Sequence, residues 1–249
     1  MKSGGSALKI VGLVVLAVLA IGVAAFAMTR QVAPPPVSEQ VQNYTPATQT
    51  AAPVVPVAVI GDSYSAGTGA GDPTQGWVAK LAFSQAWHLT NVARGGTGYS
   101  KSVTTDAMKA CGLNYCPSYS EMIKDAAAAN PSIVLVTGGR NDSKVAADEE
   151  AAEIQSFYQQ LRTALPSAKI VAFNAWWDST AAPASIGTIS ANVKAAVEGI
   201  GGTYIDAGQP LAGHPELVAT DNVHPNLSGH NTLFTTALTK LQDAGIAVR

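Results

Sequence analysis

The chain has 249 residues, 47% of them hydrophobic and 13% charged, and a formal net charge of −2. That leaves ample material for a core, and the 15 Lys and Arg are scattered with no basic stripe, which argues against a nucleic-acid partner. None of the four histidines has a zinc-site spacing such as HExxH, so no metal and no cofactor is expected.

Lys2 and Lys9 precede the uncharged run IVGLVVLAVLAIGVAAFAM, residues 10–28. Its length approaches the roughly 20 residues needed to cross a bilayer. The flanking charges favour an amino terminus on the cytoplasmic side. Residues 1–30 therefore read as a membrane helix serving as signal-anchor, or as a signal peptide cut near Ala25-Phe26-Ala27. Either way the remainder is exported, held at the cell membrane or secreted. Residues 31–52, rich in Pro, Thr, Gln and Ala, read as a disordered linker. The sequons at Asn43, Asn141 and Asn226 are short enough to recur by chance.

From 53 to 249 strand-like and helix-like pieces alternate. Strands are expected at 54–60, 89–93, 132–138, 168–176 and 203–207, several of them continuous and β-branched as in buried parallel strands. Helices are expected at 77–87, 119–129, 146–165, 186–200 and 227–243, with Pro131 and Pro166 stopping two of them. The alternation predicts a three-layer α/β/α domain with a parallel sheet, whose sites form at the carboxyl ends of the strands. In an exported domain Cys111 and Cys116 read as a disulfide, closing a short loop and stiffening 112–115.

Four short segments fall at those strand ends or in a late loop: Gly61-Asp62-Ser63, Arg94-Gly95-Gly96-Thr97, Gly139-Arg140-Asn141-Asp142 and Asp221-Asn222-Val223-His224. Together they hold what acyl transfer from an ester requires. Ser63 is a hydroxyl nucleophile that needs a base, and His224 is the candidate. Asp221, three residues before it, can fix the imidazole tautomer. Donors for the oxyanion are the backbone N–H groups of Ser63 and Gly96 and the side-chain amide of Asn141. Asp62 and Asp142 read as structural, Trp77 as helix packing, His230 as a helix-face residue, and His88 and His214 as surface loop residues. Gly61 reads as permitting a tight turn, and Gly67, Gly69 and Gly71 as shaping a loop. That loop lacks the GxGxxG dinucleotide spacing, and no GxSxG elbow is present.

The four segments resemble the blocks of the SGNH hydrolase superfamily, the GDSL esterases and lipases, in the family's order across residues 54–245. The name's Ser, Gly, Asn and His correspond to Ser63, Gly96, Asn141 and His224, and its DxxH to Asp221 and His224. The resemblance implies a flavodoxin-like five-stranded sheet of order 2-1-3-4-5. Tyr64 departs from the pattern, since the family often has Leu there.

The expected function is an exported serine ester hydrolase acting on small acyl or acetyl esters of envelope carbohydrate or lipid. An acyltransferase using the same residues and a non-catalytic binding module on a stalk are the alternatives. Trp176 and Trp177, after the fourth strand, are candidate substrate-binding residues. Ser65, Ala66 and Gly67 are expected to leave an open cleft beside Ser63.

Overall fold

The computed structural model describes residues 4–29 and 54–247, with side chains at 11–27 and 54–247. It separates into two compact units, Met1–Ala51 and Ala52–Arg249. In the first, the apolar run forms helix α1 (Gly4–Thr29), and its described side chains are exposed. Among the described residues, however, no helix is long and apolar enough to cross a membrane. The membrane helix expected of residues 10–28 is therefore not borne out. The linker expected at 31–52, with its Asn43 sequon, lies outside the described residues.

The second unit is built on five parallel strands: β1 (Val55–Ile60), β2 (Trp87–Asn91), β3 (Ile133–Val136), β4 (Lys169–Phe173) and β5 (Thr203–Ile205). Their order is β2-β1-β3-β4-β5. The connecting helices are α2 (Ser63–Ala66), α3 (Trp77–Gln85), α4 (Ala107–Cys111), α5 (Tyr119–Ala128), α6 (Ala147–Ala164), α7 (Ala184–Gly199) and α8 (Leu227–Asp243).

Successive side chains of a strand point to opposite faces, and β1 divides its residues accordingly. Ala58 and Ile60 enter the core that also holds Met122 of α5, Phe157 of α6 and Val193 of α7. Val57 and Val59 enter the other, with Trp77 and Leu81 of α3 and Leu233 of α8. Helices thus cover both faces, which is why β1, β3 and β4 after its exposed first residue, Lys169, are apolar throughout. The edge strands β2 and β5 are only partly buried.

The expected helix over 77–87 stops two residues early. Ala86 adopts the left-handed conformation, φ 51°, and its N–H closes the helix on Ala82 and Phe83. Strand β2 therefore starts at Trp87 rather than at 89, and His88 lies in that strand rather than in a loop. The commonest signal for such an ending, a glycine or asparagine after the last turn, is missing here. The short helices α2 and α4 were also not anticipated, since four- and five-residue helices span too little for a periodicity to emerge. The Cys111–Cys116 disulfide is present, and the described residues hold no free cysteine.

Under α6 lies a buried acidic pair. Burial, reinforced by the charge of Asp142, pushes the Glu150 carboxyl up to about 8. One of its oxygens accepts a hydrogen bond from Ser100, and the other has no partner. The folded protein therefore holds a proton that the unfolded chain releases near its ordinary 4.5. The stability this contributes is complete below about pH 4.5 and is lost as pH rises through 8. Asp62 and Asp142, both pushed up to about 6 by burial, act in the same direction over a narrower range. Thermal melts of Glu150→Gln should accordingly fall less steeply than wild type between pH 5 and 8.5; parallel curves would contradict this account.

Candidate active site

Because β1 pairs in parallel with both β2 and β3, three loops leave the sheet side by side. Backbone bonds extend the pairing past the strand ends: Arg94 N–H to Gly61 O at 3.0 Å and Thr137 N–H to Ile60 O at 3.0 Å. The first loop ends in α2, whose first residue is Ser63. Asp62 caps it, accepting from Tyr64 N–H at 3.0 Å, and this bond opposes the burial that raises its carboxyl. Its role is structural, as expected. Gly61 serves this turn without a positive φ. What it supplies is space: a Cβ there would lie 2.8 Å from both Ser65 Oγ and Thr137 O.

The second loop carries Gly96, at φ 78°. Among the described residues, no hydrogen bond engages its N–H. Neighbouring Gly95 is held against α4, because a Cβ there would sit 2.0 Å from Ala110 O. The third loop forms a short turn, Arg140–Asp142. Asn141 Nδ2 donates to Thr97 O at 2.9 Å, which orients the amide and leaves its other N–H to point elsewhere. Asp142 accepts from Tyr99 N–H at 2.9 Å and packs against Gly98, where a Cβ would meet its carboxylate at 1.9 Å. Asp142 is thus structural, fastening the second loop to the third.

The late loop folds around Asp221. Its Oδ1 accepts from the N–H groups of Val223 and His224, each at 3.0 Å, and its Oδ2 from His224 Nδ1 at 2.6 Å. Partial desolvation raises the carboxyl, but those three bonds outweigh it and bring it down to about 2. The carboxylate therefore stays ionised through mildly acidic conditions. With Nδ1–H committed to Asp221, His224 Nε2 is the nitrogen left to accept a proton.

Ser63, Gly96, Asn141 and His224 line one open cleft of about 430 Å³. Among the described residues no hydrogen bond joins Ser63 Oγ to His224. The remaining wall comes from α4 and its flanks, with Thr105, Lys109 and Ala110, and from Thr68 and Val223. Sequence reasoning missed that wall; its proximity to Cys111 was the available signal.

Three other expectations need correction. Ser65 is buried and hydrogen-bonded to Thr137, so Ser65, Ala66 and Gly67 do not line the cleft. Its open character comes instead from Gly95, Gly96, Thr68 and Ala110. Trp176 and Trp177 are absent from the lining as well. Trp176 lies in the core against Trp77 and Phe173, while the Trp177 ring lies beneath the Arg140 guanidinium, 4.4 Å to its centroid.

His230 is on helix α8 but fully buried, not merely on a helix face. Its Nε2 contacts Thr68 O at 3.0 Å and its Nδ1 lies 3.4 Å from Trp77 N, so it ties the glycine-rich loop to two helices. Burial holds its imidazole below the ordinary histidine value. His214 is exposed, as expected, and among the described residues no cluster of metal-ligating side chains occurs.

Residues 59–231 match the model of the GDSL-like lipase/acylhydrolase family. A GDSL lipase of Mycobacterium tuberculosis is 26% identical over 189 residues, covering 72% of this chain and 78% of that protein. The crystal structure of TesA is similar with a TM-score of 0.58 and 21% identity, covering 76% of this chain and 98% of TesA. A psychrotrophic esterase, EstA of Pseudoalteromonas sp., inhibited by monoethylphosphonate, has a TM-score of 0.57 and 15% identity, covering 76% and 97%. At such identities the structural likeness speaks to the fold.

Gly69 offers a test of how the cleft is held. It has φ 93°, and a Cβ there would meet Pro225 O at 2.3 Å and His224 Cβ at 3.0 Å. Gly69→Ala should destabilise the fold by about 1–3 kcal/mol, read as a lowered melting temperature. An unchanged melt would show that the two loops are not in the contact described.

Proposed function

The chain belongs to the GDSL-like lipase/acylhydrolase family and is a carboxylic ester hydrolase; from that footing we propose that it cleaves small acyl or acetyl esters by a Ser63–His224–Asp221 mechanism outside the cytoplasm. One observation carries this reading. Four segments far apart in the chain bring Ser63, Gly96, Asn141 and His224 to a single cleft, with Asp221 bonded to His224 at 2.6 Å.

In the proposed reaction Ser63 Oγ attacks the ester carbonyl carbon and passes its proton to His224 Nε2. Asp221 keeps the ring oriented and stabilises the imidazolium. The tetrahedral oxygen accepts from the N–H groups of Ser63 and Gly96 and from Asn141 Nδ2. Collapse expels the alcohol, which takes the proton from His224. Water, deprotonated by the same nitrogen, then releases the acid from Ser63. An open cleft of about 430 Å³ with small residues near Ser63 favours short acyl groups on a bulky alcohol over a long chain in an enclosed tunnel.

Turnover of p-nitrophenyl acetate should be abolished in Ser63→Ala and reduced about 10³–10⁴-fold in Asp221→Asn, which favours the wrong tautomer. Asn141→Ala should lose about 10²–10³-fold, as for one oxyanion donor. Undiminished turnover by Ser63→Ala would refute the assignment.

Placement outside the cytoplasm is supported by the Cys111–Cys116 disulfide, since such bonds persist in oxidising compartments. The run 10–28 behind Lys2 and Lys9 is the export element we assign. A membrane-impermeant fluorophosphonate should label Ser63 of the full chain in intact cells. Labelling only after lysis would place the enzyme inside.

A further inference from the structure

The cleft is served by a buried charge that the proposed reaction does not use. Arg140 precedes Asn141 and is 8% exposed. Its Nη2 pairs with Asp178 Oδ2 at 3.1 Å, and its Nη1 donates to the Tyr64 hydroxyl and to Val223 O at 3.2 Å. The Tyr64 hydroxyl in turn donates to the same Val223 carbonyl at 2.6 Å. The guanidinium also lies over the rings of Trp177 and Tyr64, at 4.4 and 5.1 Å from their centroids.

Val223 is the residue between Asn222 and His224, and its N–H is one of the three bonds to Asp221. The peptide groups around it are therefore held from both sides. Asp221 takes the N–H inward, while Tyr64 and Arg140 take the carbonyl. Neither Tyr64 nor Arg140 lines the cleft, so their effect on the reacting atoms runs through this turn. Asn222, at φ 58°, takes the left-handed conformation, which asparagine adopts more readily than most residues with a side chain.

We propose that Arg140, buttressed by Asp178 and relayed by Tyr64, is a positioning residue that fixes the Asp221–His224 turn by clamping the Val223 carbonyl. The proposal rests on His224 being the base of the reaction above. It gives Tyr64, the one departure from the family pattern beside Ser63, a defined task. The hydroxyl is the group that reaches Val223, and leucine has none. A lysine cannot replace the guanidinium, because it lacks the planar fork that meets Asp178, Tyr64 and Val223 at once.

The test uses the full chain as wild type, Ser63→Ala, Tyr64→Phe and Arg140→Lys, with kcat and KM for p-nitrophenyl acetate and a thermal melt of each. Phenylalanine keeps the ring under the guanidinium and removes only the hydroxyl. Tyr64→Phe should lower kcat about tenfold or more, as a small displacement of a reacting group does, with KM within about twofold of wild type. Arg140→Lys, if it folds, should follow the same pattern; if it does not, Tyr64→Phe decides. A folded Tyr64→Phe whose kcat stays within about threefold of wild type overturns the clamp. So does a loss confined to KM. Residual turnover by Ser63→Ala would instead overturn the assignment of the site on which the clamp rests.

Discussion

Everything at the site depends on the parallel pairing of β1 with neighbours on both sides. Register places Val59 opposite Asn91 and Ile60 opposite Val136, so three loops leave at one height. This is the switch point of a doubly wound sheet, where connections from β1 and β3 diverge and a crevice opens. A serine, a free glycine N–H and an asparagine amide are thereby assembled from local geometry alone. Only the histidine and aspartate must be brought from a distant stretch of chain, and they need a separate means of being held.

That difference explains what the sequence disclosed and what it concealed. Strand runs, alternation and the four polar segments were legible because buried parallel strands are continuously apolar and their ends are punctuated by glycine. Asp221 and His224 were legible because a DxxH pair, common by itself, follows three other polar segments in order along the chain. The cleft wall was not legible. Thr105, Lys109 and Ala110 belong to a five-residue helix and its approach, too short for any periodic signal. Trp176 and Trp177 were misread for a related reason. Position after a strand places a residue at the correct edge but does not say which face its ring takes, and here packing with Trp77 and contact with Arg140 decide it.

Buried polar groups recur around the site in a consistent pattern. Asp62 spans one loop, Asp142 joins the second loop to the third, and His230 joins the glycine-rich loop to α3 and α8. Each makes hydrogen bonds mainly to backbone groups rather than to a counter-ion. Burial drives the two carboxyls upward and the imidazole downward, in each case towards the neutral form. Arg140 differs from these three in having a carboxylate partner, Asp178. The loops are thus fastened by buried polar groups whose charged forms burial disfavours.

The wall segment differs in how it joins the domain. Val103 and Cys116 exchange both backbone hydrogen bonds, at 2.9 and 3.0 Å, and Cys116 is tied to Cys111. The chain between them leaves and returns through a single closed neck, and no strand of the sheet runs through it. Residues can therefore be inserted, removed or transplanted within the segment without shifting the register of any strand. A change of length or composition in this panel would reshape the wall of the crevice and leave the sheet beneath it as it is.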